Sequence, residues 1–363
     1  MLNEQEKCTI FIADVPQDPN KRLELFAYCN EVGNDELYRF ATKRKILPFV
    51  ARTLVELNYN VEFWDKILNE YRARNIKILQ YMDLTYKCLK VFGVEKIFVS
   101  ENFGALLISD NDIGLFPSGD VDNFSTIEEK DKIYSAMKSL GCEIKEKYIE
   151  KHLIAAEFYP PASHDLPEGF YFRVDFYPLE RLKVPCFIKA ETFIDWDKCT
   201  YYRDTNIRLP DATQLMYICM MHTSIHSFVR TPDYRLYIDI YNLDKCKIDY
   251  SLIAGWTCCE KTHVRANVAL SIYAELFGKS IDPVMKKTGK RESKLIGYVF
   301  DKKNRVLLET KNKFKILKID IMCNDKSDFL GICEIFFPDK RWMNKTYGKC
   351  GLKAYMKHLL KLF

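Results

Sequence analysis

The chain has 363 residues, 48% hydrophobic and 14% aromatic, with 55 Lys+Arg against 50 Asp+Glu for a formal charge of +5. That composition excludes a disordered chain, supplies a large core, and argues against the whole molecule binding polyanions by charge alone. The 13 cysteines form no Cys-x-x-Cys pair and no run reaches about 18 uncharged apolar residues, which argues against zinc-ribbon motifs and membrane spans and leaves a cytosolic (cytoplasmic) protein with reduced, buried thiols as the expectation.

Met1 to Val15 carries Glu4, Glu6 and Asp14 and does not read as a signal peptide. Residues 20–92 have a helical period throughout. Leu25 and Cys29 open one stripe, Phe49, Val50 and Leu54 a second, and Trp64, Leu68, Met82, Tyr86 and Leu89 a third that runs from Val61 to Phe92. Gly93 is the expected stop. This segment shows no catalytic constellation, and Arg72 and Arg74 are expected to be solvated or paired with acids. Val94–Val99 is apolar and β-branched, hence a buried strand. Ser100 then stands where it would cap a helix over 103–108, and that helix start reads equally as a plain cap or as a cradle for phosphate.

Phe116-Pro117-Ser118-Gly119-Asp120-Val121-Asp122-Asn123-Phe124 is the stretch richest in chemistry. On a strand, Asp120 and Asp122 point to one face. Two unit charges about 4 Å apart cost roughly 4 kcal/mol at an effective dielectric near 20. A raised pKa, solvent exposure or a bound cation relieves that cost, and an Asp-rich turn with solvated carboxylates is the plain alternative. A helix over 127–140 follows, with Ser125 or Thr126 as its cap. Residues 142–159 alternate like one or two strands, and 169–179 like another. On the latter, Phe172, Val174 and Phe176 share one face while Tyr171, Arg173, Asp175 and Tyr177 share the other. Asp175 either pairs with Arg173 or another basic group, or meets the same cation as Asp120 and Asp122. The order of elements implies a small mixed sheet with helices on one side.

Residues 210–290 are helical again. His222 and His226 sit four apart on one helix face, with no Glu beside the first, so a metalloprotease motif is excluded. They read either as site residues or as hydrogen-bonded structural histidines. A helical pattern over 252–277 ends at Gly278. From Arg291 onward there are 17 Lys+Arg and 8 Asp+Glu, so this segment carries 17 − 8 = +9. Lys349, Lys353, Lys357 and Lys361 form one stripe, which is a solvated face or a site for an acidic partner.

Taken in order, these motifs resemble the nucleotidyltransferase superfamily, and within it an uncharacterised bacterial family with an Arg-Pro-x-Gly-Asp-x-Asp motif. Pro117, Gly119, Asp120 and Asp122 match that motif, and Asp175 matches the third carboxylate on a later strand. His222, His226, Arg235 and Asp239 look like the family's histidine-helix block, and Phe337, Pro338, Trp342 and Tyr347 its closing motif. The resemblance covers the chain from about residue 40 onward. It implies an α+β fold in which a small mixed β-sheet core (93–190) is flanked by helical modules (1–92 and 191–290) and a basic C-terminal α/β segment (291–363). It also implies a metal-dependent transfer of a nucleoside monophosphate, AMP first, from ATP or another NTP to an acceptor such as a small molecule, a peptide or a protein, with an RNA acceptor as an alternative. Asp120, Asp122 and Asp175 would hold two Mg²⁺ ions, and Ser100, Ser118 and Gly119 would receive the nucleotide. His222, His226, Arg235 and Asp239 would line the cleft or lock the modules together. Two departures stand out. Phe116 replaces the family's Arg, and Ser100-Glu101 replaces its Lys-Gly, so two basic groups suited to phosphates are missing. A binding protein without catalysis is the alternative these departures suggest.

Overall fold

Helices α1 (Pro19–Val32), α2 (Asn34–Lys43), α3 (Leu47–Glu56) and α4 (Val61–Val91) precede the first strand. The computed structural model describes residues 9–150, 153–177, 190–227, 234–285, 289–300, 322–323, 333, 336–338 and 340–362. Local chemistry explains the helix ends. Asp18 accepts a hydrogen bond from the Asn20 N–H at the start of α1, with Pro19 in the first turn. Gly93 stops α4 with φ at +72°, a conformation that costs glycine little.

The chain then builds β1 (Ile97–Val99), α5 (Glu101–Ile108), β2 (Asp120–Thr126), α6 (Lys130–Ser139), β3 (Glu143–Glu150), β4 (Leu153–Tyr159) and β5 (Tyr171–Tyr177). The strands form one sheet in the order β1-β2-β5-β4-β3. Only β2 and β5 run parallel; the other pairs are antiparallel. The result is a mixed α/β architecture with a five-stranded mixed sheet and flanking helices.

Side-chain alternation divides this sheet into two chemically different faces. Asn123, Phe158, Phe172, Val174 and Phe176 are buried on the first. Helix α4 covers it: the Tyr86 ring meets Phe172 edge-on and its hydroxyl donates to Asn123 Oδ1 at 2.8 Å. Tyr134 of α6 packs on Phe158 and Phe176. The Asn123 amide donates to the carbonyls of Val121 and Arg173, both at 3.0 Å, and so staples β2 to β5. The second face carries Asp120 and Asp122 on β2 and Tyr171, Arg173 and Asp175 on β5, with Glu157 on β4.

Two short strands, β6 (Thr200–Tyr201) and β7 (Arg208–Leu209), precede α7 (Ala212–Ser227), α8 (Tyr237–Leu243), α9 (Tyr250–Cys259), α10 (His263–Phe277) and α11 (Lys290–Phe300). Helix α5 packs on α7 and α8, and α7 on α10. The described C-terminal helices are α12 (Lys340–Tyr347) and α13 (Leu352–Leu362). Lys353 and Lys357 are exposed on α13, while Lys349 precedes it. Phe337 is exposed, and the Tyr355 hydroxyl donates to the Pro338 carbonyl.

Several expectations need adjustment. Helix α5 begins at Glu101, not 103. The helix expected at 127 begins as a 3-10 turn over Ile127–Glu129, and α6 proper starts at Lys130. Neither proposed cap engages it: Thr126 makes no side-chain cap bond, and Ser125 donates to the Lys96 carbonyl at 2.6 Å, tying β2 to the β1 side. The 252–277 pattern is two helices, broken where Lys261 takes φ at +56°. The described cysteines are free, but Cys258 and Cys259 are exposed, because they lie on the face of α9 opposite the buried Ile253 and Thr257. Elements expected over 306–308 and 314–321 lie outside the described residues. Among the described residues, no helix is long and apolar enough to cross a membrane.

Candidate active site

The parallel register of β2 and β5 sets the site. Asp120 lies opposite Tyr171, Asp122 opposite Arg173, and Phe124 opposite Asp175. The three aspartates therefore share one sheet face, with Arg173 standing among them. Its Nε and Nη2 each lie 3.0 Å from Asp175 Oδ1, and its Nε is 3.6 Å from Asp122 Oδ1. All three side chains are largely buried. Burial pulls the guanidinium down, but the charges of Asp175, Asp122 and Glu101 outweigh it and hold the group above its ordinary value.

Asp120, at the mouth of this face, is held by neutral donors. Ser118 Oγ donates to Oδ1 at 2.5 Å and the Tyr171 hydroxyl to Oδ2 at 3.0 Å. The Ser118 side chain expected to receive a phosphate is thus already engaged. Gly119 leaves open space where a side chain would stand. Ser100 is buried, and its N–H donates to the Asp122 carbonyl at 2.9 Å, which brings the start of α5 against β2. Its side chain makes no cap bond.

Glu101, a departure from the resembling family, also belongs to this cluster, its carboxyl 3.0 Å from His222 Nδ1. Its φ is +52°, a left-handed conformation uncommon for a non-glycine residue. This is the position where the resembling family has glycine. Burial, then the charges of Asp122 and Asp175, push its carboxyl well above the usual range. Burial and then the Asp120 charge likewise push Asp122 up to about 7, against a hydrogen bond from Glu101 that lowers it.

The expected cleft residues reach this cluster through α5. His222 Nδ1 on α7 lies 3.0 Å from Glu101 Oε2. Asn102, with its amide nitrogen toward Asp239, donates to that carboxylate at 2.8 and 3.2 Å. Arg235 and Asp239 line a small cavity with Asn102, Phe116 and Pro117, large enough for about one water. His226 lies one turn beyond His222 on α7. Phe116, at the position of the family's Arg, is buried with its ring edge-on to Phe103 at 4.7 Å. That position is therefore filled by packing.

Arg74 was expected to be solvated or paired with an acid; it does neither. It reaches from α4 to the carbonyls of Ser118 and Phe116. Arg72 pairs with Asp112, as the reading allowed. Asn75 holds the same loop through the carbonyls of Ile113 and Phe116. Their targets lie about 40 residues away in sequence, and no local pattern announces them.

The oxygen donors of Asp120, Asp122 and Asp175 have the chemistry of a Mg²⁺ site, but their present arrangement does not fit one. The Asp120 oxygens take Ser118 and Tyr171, and Arg173 takes Asp122 and Asp175. A doubly charged ion about 5 Å from that guanidinium would be repelled by about 7 kcal/mol at an effective dielectric near 20. Among the described residues, no three or more His, Cys, Asp or Glu side chains are disposed to hold a metal ion together. Compared with family models, curated proteins and solved structures, the chain matches none.

Proposed function

We propose that this chain transfers a nucleoside monophosphate, AMP first, from a nucleoside triphosphate to an acceptor hydroxyl or similar group. One observation carries the reading: Asp120 and Asp122 at the start of β2 share a sheet face with Asp175 on its parallel neighbour, beside the start of α5. Such a group of acids on one sheet face suits the handling of a charged phosphoryl centre and the removal of a proton from an acceptor. Asp175 is the candidate base. The open backbone at Gly119 is the candidate approach for phosphates, in a loop held from behind by Arg74 and Asn75. With Mg²⁺ as the expected ion, the reading requires a second position for Arg173, clear of both carboxylates.

A second reading, a nucleotide-binding protein without turnover, is favoured by Glu101, whose buried carboxyl occupies the glycine position of the resembling family. Calorimetry with ATP and Mg²⁺, together with a pyrophosphate-release assay across candidate acceptors, separates the two. Transfer predicts pyrophosphate release that Asp175→Asn abolishes while the circular dichroism spectrum stays unchanged. Undiminished release in Asp175→Asn refutes transfer by this site. ATP binding with no release for any acceptor supports the second reading.

A further inference from the structure

The misfit between this face and a metal ion has a specific cause in the chain. Arg173 stands directly opposite Asp122 in the β2–β5 register and, on its other side, opposite Glu157 of β4. Glu157 is in turn opposite Lys145 of β3. A row of alternating charge thus crosses the sheet: Asp122, Arg173, Glu157, Lys145. Glu157 is buried and accepts the Tyr159 hydroxyl at 2.7 Å. The guanidinium is anchored by Asp175 through two N–H groups and flanked by acids on both neighbouring strands. Its position follows from the register of three strands, so it is not an incidental surface contact.

We infer that Arg173 is the resident cation of this face, a tethered charge standing in the place of a divalent ion, so that the face excludes free metal. The inference rests on the transfer reading only for the identity of the ion it replaces. A planar guanidinium suits this role because its fork satisfies carboxylate oxygens directionally and does not lose its charge on burial.

The test is Mn²⁺ alone, added to the full chain without nucleotide and followed by the electron paramagnetic resonance signal of the free ion. Wild type should take up Mn²⁺ at least about a hundredfold more weakly than Arg173→Met, since removing a buried like charge strengthens cation binding by orders of magnitude. Arg173→Lys, which keeps the charge, should behave as wild type. Adding Asp122→Asn to Arg173→Met should abolish the new site. Equal affinity in wild type and Arg173→Met overturns the inference, as does the absence of Mn²⁺ uptake in every variant. Should Arg173→Met not fold, Arg173→Gln supplies the neutral side chain, and Mn²⁺ uptake by wild type that Asp122→Asn removes overturns the inference without any Arg173 variant. The two proposals fail separately. Wild type that takes Mn²⁺ through Asp122 ends this inference and leaves transfer standing, whereas wild type that never takes up ATP ends transfer while the Mn²⁺ comparison still decides the role of Arg173.

Discussion

Asp122→Asn should make the protein progressively more stable than wild type as pH rises. The unfolded Asp122 titrates near 3.8 and the folded one near 7, chiefly because burial and then the Asp120 charge disfavour its ionised form. Through that window the folded chain keeps a proton that the unfolded chain has given up. Stability from this group is therefore full below pH 4 and is lost as pH rises through 7. The interval is 7 − 3.8, about 3 pH units, and each unit is worth about 1.4 kcal/mol. The stability difference between variant and wild type should thus grow by up to about 4 kcal/mol from pH 4 to pH 8. Glu101, also raised, acts in the same direction. An amide at 122 still accepts a hydrogen bond from Glu101 and carries no charge, so a constant offset from its weaker contact with Arg173 cancels in the comparison. Urea unfolding of both proteins at several pH values, in chelator to remove divalent ions, measures the gap. A gap that is flat within about 0.5 kcal/mol, or one that shrinks with pH, refutes the account of Asp122 as a carboxyl held up by burial and the Asp120 charge.

Three further outcomes follow from the same geometry. Tyr86→Phe should cost about 1–2 kcal/mol in urea unfolding, and a double-mutant cycle with Asn123→Ala should show coupling above about 0.5 kcal/mol, because the buried hydroxyl and amide satisfy each other; additive effects would mean the contact does not form. Gly104→Ala should destabilise by about 1–3 kcal/mol, since the added methyl would sit 2.7 Å from the Val99 carbonyl and 3.2 Å from Leu215, and a thermal midpoint equal to wild type would contradict the close approach of α5 to β1. Phe116→Arg should cost about 3 kcal/mol or more by burying a charge where an aromatic ring packs against Phe103; a variant as stable as wild type would show that pocket to be open.

The aspartates were legible in the sequence, and so was the Arg173–Asp175 pair as one of two alternatives, but the place of Arg173 opposite Asp122 was not, and the physical reason is register. Alternation along a strand is local, so Asp120 with Asp122, and Arg173 with Asp175, could each be put on one face from spacing alone. Which residue of β5 faces Asp122 is a non-local fact, set by a parallel pairing across about 50 residues, and a one-residue slip would have sent the whole set to the other face. The hydrophobic partners Phe172, Val174 and Phe176 allow only one choice of face, which is why that part was readable. The same limit applies to Glu101 and His222. Glu101 precedes the expected helix and His222 sits in an ordinary helical pattern, and only the packing of α5 on α7 brings Nδ1 to the carboxylate.

The distribution of charge narrows what ligand this face suits. Asp122 and Asp175 are met by Arg173, and Glu101, whose carboxyl burial pushes well above the usual range, lies 3.0 Å from His222 Nδ1, so the interior of the cluster is close to balanced. Asp120 alone is held entirely by uncharged donors, Ser118 and Tyr171, and it lies nearest the loop whose backbone is open at Gly119. A phosphate-bearing ligand approaching there meets a carboxylate without a cation of its own, which opposes binding unless a cation comes with it or Arg173 turns outward. Wild-type affinity for ATP should therefore rise when Mg²⁺ accompanies it, by a factor that Asp120→Asn reduces. Affinity for free ATP should rise in Asp120→Asn by about tenfold, the scale of removing one like charge at partial burial. Calorimetric titration of both proteins with ATP, in chelator and in excess Mg²⁺, reads all four constants. If Asp120→Asn leaves both of its constants at the wild-type values, Asp120 does not face the phosphates, and the ligand does not enter by the Gly119 loop.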